Sequence, residues 1–312
     1  MTSISSANPP KHRNRLLLNY RQNKMLYWML LPSVIYVLIF NYLPMTGLVI
    51  SFQDYSLTRG IFGSKWIGLK NFQDFFHGIY FSRTLRNTLI LSLLDLLVCF
   101  PAPIILALML NEVRHDGYKK VIQTMSYLPH FISMVVVAGL IKEFTNSTGV
   151  IASIVKALGG TPKSYIALPQ YFRTIFTVSQ VWQTIGFNSI IFLAALSGID
   201  QELYDAAWID GAGHLQQTWH VTLPGIASTV IIMLILRCGQ IMNVNFEKVL
   251  LLYSPSTYET ADVISTYVYR VGIVKQEIGY STAVGLFNSV VSLALVLGAN
   301  KLSKTFTDSS MF

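Results

Sequence analysis

Charged residues are scarce in this 312-residue chain: Asp, Glu, Lys and Arg make up 12% of it, against 52% hydrophobic residues. A soluble domain carries about a quarter of its residues charged, so that class is excluded. Cysteine is scarcer still. Cys99 and Cys238 both fall in apolar runs, where a thiol behaves as a small buried hydrophobe, and two such residues exclude a disulfide framework or a zinc-ligand spacing. No Gly-Lys pair occurs, so the chain has no phosphate-binding G-x-x-x-x-G-K-[ST] loop. Acids are fewer than bases, 15 against 23, for a net charge of +8. The bases gather beside apolar runs rather than in one stripe, which suits anionic lipid head groups and argues against nucleic acid.

Long apolar runs are what the chain does have. A helix rising 1.5 Å per residue needs about twenty apolar residues to cross a hydrocarbon layer of about 30 Å. Six segments qualify, at about residues 26–50, 87–110, 122–142, 174–198, 224–244 and 281–300. The first is too long for a signal peptide and lacks a small-residue cleavage pattern, so it reads as a retained span. The predicted fold class is all-α, a polytopic membrane protein with six transmembrane helices over residues 26–312, after a basic tail over residues 1–25. Lys11, Arg13, Arg15, Arg21 and Lys24 in that tail, Arg114, Lys119 and Lys120 in the second connection, and Lys301 and Lys304 at the end place both termini in the cytoplasm.

By the same parity "DAAWIDGAGHLQQTWHVTLP", from Asp205 to Pro224, is cytoplasmic, yet it holds no lysine or arginine. It reads as two short helices and a turn. Asp200 can cap the first, with Glu202 in its first turn, and Gly211 and Gly213 break it. The second is expected from His214 to Val221, with Leu215 and Trp219 on one face, and Pro224 should open the next span. Physics alone leaves two readings open: an elbow resting on lipid, or a protein docking site.

The loop resembles a known signature. Asp205, Ala206, Ala207, then Gly211, then Val221, Thr222, Leu223 and Pro224 match in spacing the "EAA" to glycine to "I-x-L-P" loop of the membrane subunits of binding-protein-dependent ABC importers, with Asp205 for glutamate and Val221 for isoleucine. "YWMLLPSVIYVLIFNYLPM", "WIGLKNFQDFF", "SYLPHFIS", "NFEKVLLLYSPSTYETADVISTYVYR" and "GYSTAVGLFNSVVSLALVLGANKLSK" are similar to the branch for oligosaccharide and complex polysaccharide uptake. The resemblance implies a type I ABC importer permease fold, with a core at about 84–302 and a cytoplasmic coupling loop at 200–224, in a bacterial plasma membrane. Asp205, Ala206, Ala207, Gly211, Gly213, Leu215, Trp219, Leu223 and Pro224 would then engage a separate ATPase dimer, which would hold the ATP and magnesium. This chain itself would need no cofactor. The other implied partners are a second permease of homologous sequence, an extracytoplasmic solute-binding protein and a saccharide.

Polar residues inside spans are costly in lipid unless they face protein or water. Gln180, Gln183 and Asn188 recur along the fourth span beside Trp182 and Phe187, and Arg237, Gln240 and Asn243 along the fifth, so both stripes are candidates for a sugar pathway or for contacts between helices. Arg237 needs a partner or a wet cavity, and Asp95 in the second span is the available acid. No set of acids, histidines and nucleophile converges at one depth, so no catalytic residues and no metal ligands are assigned. The competing classes are an ABC permease for another solute and a proton-coupled secondary transporter. The latter usually shows several buried acids, where only Asp95 is deeply placed.

Overall fold

Residues 13–306 are described by a computed structural model, with side chains from residue 23 to residue 301. Residues 1–12 of the basic tail, Lys11 among them, and the side chains of Arg13, Arg15, Arg21 and Lys304 lie outside that description. Among the described residues five helices are long and apolar enough to cross a membrane: span one, Lys24–Phe52; span two, Phe81–Asn111; span three, Met134–Ala157; span five, His214–Gly239; and span six, Ile278–Lys301. Pro169–Leu196, bent by 73° from the following Gln201–Ile209, is span four. Helices are the expected answer here, because a spanning segment must satisfy its amides and carbonyls within itself.

Three of the prolines inside these spans, Pro44, Pro101 and Pro224, are accommodated alike. A π-turn at Leu38–Tyr42, at Asp95–Cys99 and at Thr218–Thr222 ends two residues before Pro44, Pro101 and Pro224. The last amide before each proline, on Leu43, Phe100 and Leu223, donates five residues back, to the carbonyls of Leu38, Asp95 and Thr218. A regular helix drives the proline ring against a carbonyl in the preceding turn, and the wider turn gives it room.

This corrects the expected fifth span. Pro224 does not open it: the second loop helix, expected to stop at Val221, runs on through the π-turn as one helix, His214–Gly239. The far end also stops earlier than residue 244, with Gln240 as its cap and the backbone in turns as far as Asn245. The third span, expected as one helix at 122–142, is broken. Asp116–Tyr127 gives way at Leu128–Phe131, where Pro129 removes an amide, and Ser133 caps a new helix over Met134–Thr145. The piece before the break lies against span four, where Gly186 admits the Ser126 backbone. A Cβ at 186 would come within 2.2 Å of the Ser126 carbonyl oxygen.

Spans two to six and the short helices between five and six make the core. Leu91, Val137, Ile141, Phe172, Phe176, Val249 and Val263 form one buried cluster, and Ala107, Phe192, Leu196 and Ile226 another nearer the loop. A third gathers around Phe75, whose short helix Lys70–His77 turns it against Phe81, Tyr267, Tyr280 and Phe287. Span one is different, since none of its apolar stretch is buried.

At the end of the bundle opposite the loop, one carboxylate ties the elements together. Asp262 is fully buried and accepts from Arg270 at 2.7 and 3.0 Å, from Arg83 at 3.0 Å and from Thr266 at 3.1 Å. Asn87 of span two donates to the Asp262 and Glu259 carbonyls and accepts from Arg173 of span four. Sequence reading passed over this hub. Replacing Asp262 by alanine strands two guanidinium groups. The Asp262→Ala protein should lose about 3–5 kcal/mol, read as a lowered unfolding midpoint in detergent, while Ser256→Ala on the exposed loop nearby should change little.

Candidate functional site

Two features stand at the ends of span five. At its start, Asp200 accepts from the Glu202 amide at 3.0 Å and opens the helix Gln201–Ile209. Gly211 takes φ +80°, which side chains rarely adopt, and the chain turns back. Polar groups at the bend are satisfied within the loop: the Gly213 amide donates to the Gln216 side chain at 2.9 Å, and the Gln217 amide group donates to the Ala212 carbonyl at 3.1 Å. Tyr204 and Thr222 join the two limbs through their hydroxyls, 3.0 Å apart.

The loop keeps its large apolar side chains outward. Trp208 is 75% exposed, Ile209 80%, Leu215 78% and Trp219 68%. Asp205, Ala206, Gly211, Gly213 and Pro224 are exposed, and Ala207 and Leu223 half-buried, so the predicted loop residues share an accessible surface. Between the limbs a cleft of about 320 Å³ is lined by Ala207, Asp210, Gly211, Ala212, Gln216, His220 and Val221. A compact loop that satisfies its own backbone and leaves two tryptophans outward is suited to dock on something.

At the other end of span five lies a polar cavity of about 230 Å³. Ser92 and Asp95 of span two, Phe176 and Gln180 of span four, Arg237 of span five and the segment 240–245 line it. Arg237 grips Asp95 with both arms of its fork, Nε to Oδ2 at 2.6 Å and Nη2 to Oδ1 at 2.5 Å. The acid and base expected to pair or to face a pathway are paired, and both line this cavity. Behind them the fully buried Lys248 donates to Gln180 Oε1 at 3.1 Å and sits 5.3 Å from the Phe176 ring centre. Burial pushes its pKa from 10.5 down to about 7, against the pull of nearby Cys99 and Asp95.

Of the predicted pathway residues, Gln180, Arg237, Gln240 and Asn243 meet here, and Gln183 and Asn188 do not. Gln183 is buried elsewhere on span four and Asn188 is half-buried. Phe187, expected beside the polar stripe, instead stacks on His130 at 3.9 Å. Gln240 and Asn243 lie on turns rather than on a helical stripe, which lipid would forbid but a cavity permits. Sequence reading missed Ser92, Phe176, Lys248 and Asn288, the last donating to Asn243 at 2.9 Å. For Lys248 the signal was present: Asn245 caps a helix whose inward face is Lys248, Val249 and Leu252. Among the described residues no group of three or more His, Cys, Asp or Glu side chains is arranged to hold a metal ion.

Comparison with known proteins bears on this arrangement. Residues 75–307 match the family described as the binding-protein-dependent transport system inner membrane component. The chain is 44% identical to the polygalacturonan/rhamnogalacturonan transport system permease protein YteP of Bacillus subtilis (strain 168), over 96% of this chain and 94% of that one. It is 47% identical to protein LplB of the same organism, over 94% and 92%. Among solved structures it is similar to a chain of a bacterial alginate ABC transporter in complex with an alginate pentasaccharide-bound periplasmic protein, with a TM-score of 0.89 and 44% identity over 95% of this chain and 100% of that one.

The ion pair sets a test. Arg237→Ala and Asp95→Ala each leave one charge without its partner, so each should destabilise the purified protein, and the double variant should recover part of the loss. Both side chains keep some exposure, 30% and 24%, so a coupling energy of about 1–3 kcal/mol is expected from the thermal unfolding cycle. Strictly additive losses would mean that the two charges do not depend on each other.

Proposed function

The chain belongs to the binding-protein-dependent transport system inner membrane components, and on that premise we propose that it forms half of the pathway by which an ATP-driven importer carries a saccharide. It is a multi-pass permease of the inner membrane, and ATP hydrolysis lies in a separate subunit. The observation that carries the proposal is the continuity of span five, one helix of 26 residues with the loop at one end and Arg237 of the polar cavity near the other.

In this reading the termini and the loop are cytoplasmic, and residues 84–302 are the core that pairs with a second, homologous permease. The exposed Leu215, Trp219, Ala206 and Asp205 would seat in a cleft of the ATPase dimer, with Gly211 making the tight bend. Closure of that dimer on ATP and magnesium would tilt the loop and, with it, span five. The cavity then opens to one side of the membrane or the other. Gln180, Gln240, Asn243 and Arg237 present amide and guanidinium groups suited to sugar hydroxyls, with Phe176 as an apolar face. The saccharide assignment draws support from the relatives named for polygalacturonan and alginate transport. A solute-binding protein would deliver the sugar at the opposite end, over the stretches 52–86 and 245–280.

Affinity purification with native membrane neighbours tests this. The tagged chain should bring down an ATPase and a second permease, and Gly211→Pro with Ala207→Glu should lose the ATPase alone. Uptake of a labelled oligogalacturonide into cells should stop with it. A chain recovered alone, unaffected by those substitutions and active without ATP, would make it a secondary transporter.

A further inference from the structure

The docking reading requires that a displacement of the loop reach span five, and the loop's first helix is poorly placed to deliver it. Gln201–Ile209 has no buried residue, and its apolar side chains Leu203, Trp208 and Ile209 are 54%, 75% and 80% exposed. Nine residues make a marginal helix by themselves, and this one joins the next limb through a bend at Gly211. Pushed from outside, it could swing about that bend while span five stayed still.

One side chain of that helix reaches across. The Tyr204 hydroxyl lies 3.0 Å from Thr222 Oγ1, eighteen residues on in the chain. Thr222 is 4% exposed and is the last residue of the π-turn that carries the helix past Pro224. Its hydroxyl also lies 3.3 Å from the Gln217 carbonyl, and the Gln217 side chain donates to Ala212 at the bend. Tyr204, Thr222, Gln217 and Ala212 thus form one hydrogen-bonded run that links the first limb, the π-turn and the bend. From Thr222 to Arg237 is fifteen residues of helix, about 22 Å at 1.5 Å per residue.

We infer that the Tyr204–Thr222 hydrogen bond is the rivet that makes the first loop helix and span five move as one body, so that both are positioning residues for coupling rather than docking residues. This rests on the docking reading of the loop. Tyr204 is half-buried between the limbs, whereas the part of the docking surface that lies on the first limb, Asp205 and Ala206, is exposed, and it is the displacement received there that the bond carries to span five. Losing the hydroxyl should therefore leave the docked partner in place and loosen what it drives.

The test uses the full complex of this chain with its ATPase and second permease in lipid nanodiscs. Two quantities are read: ATP hydrolysis, and the change that ATP and magnesium produce in the rate at which a maleimide labels Gln240→Cys, in a Cys238→Ser background. Tyr204→Phe and Thr222→Val should keep the ATPase bound and hydrolysing. Their labelling response should fall about fivefold, the factor carried by one ordinary hydrogen bond. Thr222→Ser, which keeps the hydroxyl, should respond like the native chain, and the double variant should be no worse than either single one, because both remove the same bond. A full response in Tyr204→Phe overturns the rivet, as does loss of the ATPase from both variants, which would make the pair part of the docking surface. A native complex whose Gln240→Cys ignores ATP overturns it too. If no ATPase accompanies the native chain, the docking reading fails and the rivet with it.

Discussion

Span five has to stay one helix at Pro224. A proline there lacks the amide that would close the preceding turn and presses its ring on that turn's carbonyls. The π-turn at Thr218–Thr222 absorbs the mismatch by closing five residues back, from the Leu223 amide to the Thr218 carbonyl. With the helix intact, the limb that begins at His214 and the guanidinium of Arg237 belong to a single rod. With it broken, the loop would hang from the bundle on a joint, and no displacement there would have a fixed relation to the cavity.

The same device recurs at Pro101 in span two, and there it serves the other end of the problem. The π-turn begins at Asp95, the residue that Arg237 grips. The cavity is thus bounded by a carboxylate at a widened turn and an arginine near the end of span five, with the 240–245 turns closing it. Charge is scarce in this chain, and where it enters the bundle it is used in hydrogen-bonded sets: Asp95 with Arg237, Lys248 with Gln180, Asp262 with Arg83 and Arg270. An unpaired ion in such a place costs several kcal/mol, so these sets also fix how the helices can sit against one another.

Much of this was legible from residues alone, and what escaped has physical causes. Six apolar runs announce six spans, because the thickness of the hydrocarbon layer dictates their length. The break at Pro129 and the early stop of span five at Gly239 were not legible, since hydropathy counts apolar residues and not hydrogen bonds. The loop's Asp200 cap and its bend at Gly211 followed from local rules. Its merger with span five did not, because a proline two residues after Thr222 reads as a boundary unless a π-turn is foreseen. Gln180, Gln240 and Asn243 were found as intramembrane polar residues, whereas Lys248 and Asp262 lie between the apolar runs at 224–244 and 281–300. Their roles come from long-range contacts with spans two and four, which no local pattern announces.

The most direct test of a loop that docks and a span that answers is a photo-crosslinking amino acid placed in turn at Trp208, at Leu215 and at the exposed Leu293 of span six, in native membranes. The expected result is a crosslink from the two loop positions to one cytoplasmic ATPase and none to it from Leu293. Crosslinks from Trp208 and Leu215 to lipid alone, matching Leu293, would contradict it and leave the loop as a membrane elbow.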